Sequence, residues 1–85
     1  MVVKVEVFST DSCPHCPAAM HVALEAEKEL DGVEVEIVKI LDAESQQRAM
    51  DYNIMAVPTI VINGNVEFLG APSKEELVSK LNSYL

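Results

Sequence analysis

The sequence predicts an α/β fold with the element order βαβαββα, a four-stranded mixed sheet flanked by three helices. Two observations lead to this prediction: strand-like and helix-like hydrophobic patterns alternate along the first half, and an Asn63-Gly64 pair sits between two apolar runs in the second half. With 85 residues, the chain is near the lower end of what folds alone. We therefore expect residues 1–85 to form a single domain.

The first half reads as strand, helix, strand. "VVKVEVF" places Val3, Val5 and Val7 on one face and Lys4 and Glu6 on the other, the period of two that is typical of a strand. From Pro14 onward, small and aliphatic residues recur at helical spacing, and Asp31-Gly32 is a suitable end for this helix. The inward-facing positions are Ala19, Val22, Ala23, Ala26 and Leu30, and the acid-rich run "LEAEKELDG" reads as a solvated face. Residues 33–40, "VEVEIVKI", form the second predicted strand.

The second half reads as helix, hairpin, helix. Asp42 is a suitable N-cap for a short helix that runs through Met50, and Asn53 suits a left-handed exit position. Asn63-Gly64 predicts a type I′ turn between two strands, the first of which starts at Pro58. In the last helix, Ser73 and Glu76 are spaced as a capping box, and Leu77, Val78 and Leu81 face inward. The order predicts one parallel strand pair, extended by an antiparallel hairpin.

The charge balance narrows the range of partners. Acidic residues number 14 against six basic ones, a net charge of -8. Such a surface repels phosphate backbones and anionic membranes, so we expect no nucleic-acid partner and no membrane partner. No apolar run is long enough to span a bilayer, and the N-terminus alternates like a strand rather than a signal peptide. We expect a cytoplasmic monomer.

Both cysteines lie in "TDSCPHCPAAM", where the first strand ends and the first helix starts. Unpaired N–H groups at a helix start favour an anion, so we expect a lowered thiol pKa at Cys13 and a smaller effect at Cys16. Residues three apart share a helix face, which lets the two sulfurs bond. Cys13 then attacks a substrate disulfide, and Cys16 resolves the mixed disulfide. Pro14 suits the first helical turn, whereas Pro17 predicts a small distortion after Cys16.

His15 has two interpretations, which remain open at this point. It is either a solvent-facing residue of the turn or a partial positive charge that favours the thiolate and makes the pair more oxidising. Asp11, if it lies close to the thiolate, opposes the second effect. Among the other residues, Met20, Met50 and Met55 are expected in the core or at the site rim, His21 and Lys39 on the surface, and Tyr52 and Tyr84 at element ends.

"FSTDSCPHCP" followed by "YNIMAVPTIVINGNVEFLGAP" resembles the thioredoxin and glutaredoxin superfamily, most closely the small thioredoxin-like and glutaredoxin-like proteins of archaea. The resemblance covers nearly the whole chain. It implies a thioredoxin fold and a protein disulfide oxidoreductase that needs no cofactor beyond a Cys13–Cys16 disulfide. It also implies protein disulfide substrates and an upstream reductase as partners. Pro58 is then cis and faces the cysteine pair, and the substrate pairs with the backbone of Val57. The implied groove consists of Met55, Ala56, Val57, Pro58, Thr59 and Gly70.

Some positions depart from the superfamily pattern. Val7 stands where thioredoxins have a buried acid, and Ser12 where they have tryptophan. Gly70 is followed by Lys74 rather than by the acidic residues with which glutaredoxins hold glutathione, so glutathione is not expected as a partner. The alternative function is soft-metal or Fe–S binding through the CxxC thiolates, although two thiolates do not complete a four-ligand site. An interaction module with vestigial cysteines is a third possibility.

Overall fold

The structure, a computed structural model, describes residues 2–10 and 16–85, with Cys16 described by its backbone only. Its seven elements are β1 (Val3–Ser9), α1 (Cys16–Glu29), β2 (Val33–Lys39), α2 (Ala43–Asp51), β3 (Thr59–Ile62), β4 (Asn65–Leu69) and α3 (Lys74–Tyr84). They form a four-stranded sheet in the order β2-β1-β3-β4. The β1–β2 pair is parallel and the other two pairs are antiparallel. The predicted element order and mixed sheet are confirmed.

The main core lies between one face of the sheet and the helices α1 and α3. Val5 and Val7 are fully buried there, against Ala23 of α1 and Leu77 of α3. Alanines on the inner face of α1 let that helix lie close to the strands, because they add little side-chain bulk. The positions predicted to face inward on both helices do so, with Val22, Leu30 and Val78 only partly buried.

A second, smaller core lies on the opposite face of the sheet, under α2. Phe8, Val38, Ala49 and Val61 are its buried members. Glu6 lies on this face of β1, opposite Val3, Val5 and Val7 as the alternation predicts, and it is only 7% exposed. Since α2 covers this part of the sheet, the outward-facing side of β1 becomes interior.

Local signals specify the helix starts and the hairpin as predicted. The Asp42 carboxylate accepts the amide of Ser45 at 2.8 Å, and Ser73 and Glu76 form the expected capping box. Asn63 and Gly64 have φ of 49° and 85°, as a type I′ turn requires. The α1 start predicted at Pro14 lies outside the described residues.

The outer edge of β2 is covered by a side chain of α1. Oε2 of Glu27 accepts the backbone N–H of Val35 at 2.7 Å. Glu27 belongs to the acid-rich run that the sequence placed on a solvated face, but it is only half-exposed. Its carboxylate satisfies a donor that an edge strand otherwise leaves to water.

Candidate functional site

The candidate site lies where β1 ends, α1 begins and β3 begins. Cys13, Pro14 and His15 lie outside the described residues, and Cys16 is described as the first residue of α1. Thr59, the first residue of β3, pairs with Phe8 near the end of β1. The start of β3 is therefore next to the strand end that leads into the cysteine pair.

The segment that precedes β3 is held at Pro58 and Thr59. The Val57–Pro58 peptide bond is cis, and Pro58 is buried. The carbonyl oxygen of Pro58 accepts the N–H of Gly70 at 2.8 Å, and the hydroxyl of Thr59 donates to the carbonyl of Ala56 at 2.6 Å. These bonds bring together the residues of the implied groove at one end of the sheet.

Large apolar side chains are exposed around Pro58. Met55 is 95% exposed and Leu69, at the end of β4, is 78% exposed. Ala56 is exposed as well, and Val57 is partly buried. Exposed apolar side chains grouped at one site are typical of binding surfaces. Leu69 was not predicted from the sequence as part of the site, although it directly precedes Gly70 at the end of the edge strand β4.

Met20 and Met50 were expected to pack in the core or at the rim of the site. Met20 packs against the core under α1 and α3. Met50 does not pack in the core: its side chain is 68% exposed on α2. Its neighbour Ala49 takes the inward position of that helix turn.

Ser9 is a buried polar residue that was not predicted from the sequence. Its side chain is fully buried at the end of β1, and its hydroxyl has no hydrogen-bond partner among the described residues. The backbone carbonyl of Ser9 accepts the N–H of Ile40 at 2.8 Å, which ties the end of β1 to the residue after β2. The backbone that enters the cysteine segment is therefore anchored on both sides, by β3 and by Ile40.

A polar cluster, here called the Glu6 network, lies beneath α2 and consists of Glu6, Glu36, Arg48 and Tyr52. Arg48 Nη2 lies 2.5 Å from Glu6 Oε2, and the Tyr52 hydroxyl donates to Glu6 Oε1 at 3.0 Å. Arg48 also donates to both carboxylate oxygens of Glu36, each at 3.2 Å. Both oxygens of the buried Glu6 carboxylate are thus paired, as a buried charge requires.

The hydrogen bonds of the Glu6 network shift the pKa values of Glu36 and Tyr52 in the directions that favour an ionised carboxylate and a protonated phenol. The Arg48 hydrogen bonds hold the pKa of Glu36 below its ordinary value. The hydrogen bond to Glu6 raises the pKa of Tyr52, so the phenol stays protonated and remains a donor at neutral pH. The Tyr52 ring packs edge-on against Phe8, with centroids 5.8 Å apart. Tyr52 was expected at an element end, where it lies; its polar contact was missed.

Other charged residues singled out in the sequence are surface groups. Lys74 Nζ lies 2.6 Å from Glu29 and 3.6 Å from Glu25, both on α1. His21 lies 2.5 Å from Glu25, and Lys39 is exposed. Among the side chains that the structure describes, which include neither cysteine, no three are grouped so that they could hold a metal ion. None of the described helices has the length and apolar character to cross a bilayer.

Comparisons with known proteins agree on one family. A family model for the thioredoxin domain matches residues 3–82. A thioredoxin of Methanocaldococcus jannaschii is 55% identical over 84 residues, covering 98% of this chain and 96% of that protein. A probable thioredoxin of Methanothermobacter thermautotrophicus is 48% identical over 82 residues, covering 96% and 95% of the two chains.

A solved structure shows the same fold at lower identity. The crystal structure of thioredoxin O2 from Arabidopsis thaliana in the oxidized state superposes with a TM-score of 0.77 at 21% identity, covering 96% of this chain and 74% of that one. The resemblance noted in the sequence is confirmed, and the homologues support a thiol-disulfide oxidoreductase activity in general terms. The chain belongs to the thioredoxin domain family.

Proposed function

We propose that the chain reduces protein disulfides by dithiol exchange through Cys13 and Cys16. The observation that carries this proposal is the position of the Pro58 segment, which lies directly beside the end of β1 that leads to the CPHC sequence. The family membership supports thiol-disulfide chemistry in general. The assignment of that chemistry to these two residues is our own.

The proposed reaction has two exchange steps. The Cys13 thiolate attacks one sulfur of the substrate disulfide, so that a mixed disulfide forms and a substrate thiolate leaves. The Cys16 thiolate then attacks Cys13 Sγ and releases the second substrate thiolate. The substrate gains two electrons, and two protons from solvent, while the protein is left with a Cys13–Cys16 disulfide. An upstream reductase returns the electrons, so no bound cofactor is needed.

Each neighbouring residue has a role in this proposal. Pro14 and His15, which lie between the two cysteines in the sequence, modulate the reactivity of the thiolate. The substrate chain pairs with the backbone of Val57, next to Pro58, and its side chains contact the exposed Met55. Thr59 holds the carbonyl of Ala56, and Gly70 holds that of Pro58, so both stabilise the groove without reacting.

The setting of the reaction is also part of the proposal. We infer that residues 1–85 work as a single-domain monomer in the cytoplasm, where the thiols stay reduced. Protein disulfides and a reductase are the partners, and glutathione is not. The last point is proposed because Lys74 places an ammonium group where glutaredoxins have acidic residues that hold glutathione.

The reduction potential tests the proposal most directly. The purified, metal-free protein is equilibrated in graded thiol-disulfide buffers, and its free thiols are trapped and counted by mass. We expect one reversible two-electron couple nearer to about -270 mV than to about -120 mV, the values of a reductase and of a strong oxidant. A couple near about -120 mV would contradict the direction of electron flow. The absence of any reversible couple would overturn the redox function.

The net charge of -8 predicts that partners carry basic groups near the reacting disulfide. We expect the reduced protein to react faster with the cationic disulfide cystamine than with the anionic dithiodiglycolate. Salt should remove this difference, because the Debye length falls to about 10 Å at 0.1 M. Both rates are measured by stopping the reaction at set times and trapping the remaining thiols, at low and at high salt. Neutral hydroxyethyl disulfide is the reference substrate. Equal rates at low salt would contradict the charge argument.

A further inference from the structure

The Glu6 network connects the centre of the sheet to the segment that carries the groove. Glu6 lies on β1, which is paired on both sides, by β2 and by β3. Tyr52 directly follows the last residue of α2 and caps that helix. The hydrogen bond between them therefore joins a fixed strand to the first residue after α2, where the chain leaves the helix toward Pro58.

The segment after Tyr52 is fastened at both ends and exposed in between. At its start, Asn53 turns the chain with a φ of 57°, and the N–H of Ile54 donates to the carbonyl of Ala49 at 2.9 Å. At its end, the Thr59 hydroxyl donates to the carbonyl of Ala56 at 2.6 Å. Met55 and Ala56 are exposed between these points. The position of the exposed part therefore depends on where the two ends are held.

The Tyr52 contact is well suited to hold the first of these ends. The Glu6 carboxylate is buried, and its second oxygen is paired with Arg48, so the acceptor of the Tyr52 hydroxyl cannot easily turn away. The Tyr52 ring packs against Phe8, which itself pairs with Thr59 at the other end of the segment. Tyr52 contacts Glu6 and Phe8 at the start of the segment, and Phe8 also pairs with Thr59 at its end, so both ends are held against β1.

We propose that Tyr52, held by Glu6, is a positioning residue that sets the Met55–Val57 segment for protein substrates. The inference rests on the proposed function, because it concerns how that site binds a polypeptide. A small disulfide needs only the reacting thiolate, whereas a protein disulfide also needs the segment in place. Loss of the Tyr52 hydroxyl should therefore affect the two substrate classes differently.

The test compares Tyr52→Phe with the unaltered protein on two substrates, insulin and hydroxyethyl disulfide, with dithiothreitol as electron source. We expect the KM for insulin to rise about threefold to tenfold, the range that corresponds to loss of one buried hydrogen bond, with kcat little changed. The rate with hydroxyethyl disulfide should stay the same. Tyr84→Phe is the matched control, because its hydroxyl donates to Glu67 and accepts from Asn65, a cluster at the start of β4 and the end of α3.

A second variant separates positioning from stability. In the double variant Glu6→Leu/Arg48→Met, Tyr52 keeps its ring but loses its acceptor, and an apolar pair replaces the buried charges. We expect the same rise in the KM for insulin, even though the thermal unfolding midpoint stays close to that of the unaltered protein. An unchanged KM in Tyr52→Phe, or equal losses with both substrates, would overturn the positioning role. If the unaltered protein reduces neither substrate, the proposed function fails and this inference fails with it.

Discussion

The variant Cys13→Ala should have no measurable disulfide reductase activity. The variant Cys16→Ser should complete the first exchange step and stop at the mixed disulfide. The chain has two cysteines, so no other thiol can take over either step. In the proposed mechanism Cys13 is the nucleophile, so without it the substrate disulfide is not attacked. Without Cys16 the mixed disulfide between Cys13 and the substrate forms and is not resolved. Insulin reduction measures the first effect, and mass spectrometry after an acid quench detects the trapped adduct of the second.

The control for the trapped adduct is the double variant Cys13→Ala/Cys16→Ser, which should bind no substrate covalently. A reversal of the two phenotypes would mean that Cys16 is the nucleophile. Full turnover by either single variant would contradict the role assigned to the residue that it lacks. Circular dichroism of each variant shows whether a loss of activity reflects a loss of fold.

The second large effect is expected on stability, in the variant Arg48→Met. Among the described residues, this change leaves the Tyr52 hydroxyl as the one remaining partner of the buried Glu6 carboxylate. Removing one member of a buried ion pair typically costs 3 to 5 kcal/mol, and we expect about 3 kcal/mol here because Arg48 is partly exposed. In a domain of this size that is a large fraction of the free energy of unfolding. Urea denaturation followed by circular dichroism measures the loss.

Two further variants show whether the unpaired charge is the cause. Lys80→Met also removes a cation from an ion pair, but the Lys80–Glu67 pair is at the surface, with a separation of 3.6 Å, so we expect a loss below about 1 kcal/mol. Glu6→Leu/Arg48→Met should regain most of the stability, because apolar groups then replace both charges. If the double variant is as unstable as Arg48→Met, lost packing rather than the unpaired carboxylate explains the effect.

The parts of the fold that could be predicted from the sequence are those specified by neighbouring residues. Asn63-Gly64 and the two helix caps act over two to four residues, so their signals are complete within a short stretch. The alternation of Val3, Val5 and Val7 likewise identified the main core face. These local signals, in order along the chain, were enough to predict the sheet.

The parts that were missed depend on residues far apart in sequence. Glu6 has the pattern of a solvent-facing strand residue, and nothing near it shows that α2 will cover it and supply Arg48. Ser9 is fully buried at the end of β1, and no residue near it in the sequence indicates this burial. At the site, the motif predicted the residues around Pro58, whereas the exposure of Leu69 depends on β4 being an edge strand.

The hydrogen bond between Glu27 and the N–H of Val35 affects whether copies of this chain associate through the β2 edge in a concentrated solution. A sheet edge with free donors can recruit a strand from another molecule and so begin an aggregate. On β2, the Glu27 carboxylate already accepts the backbone N–H of Val35, so a strand from another molecule cannot pair with that N–H. The negative charge of the carboxylate also repels other acidic chains. The Glu27 side chain of α1 therefore disfavours pairing between copies of the chain at this point of the β2 edge.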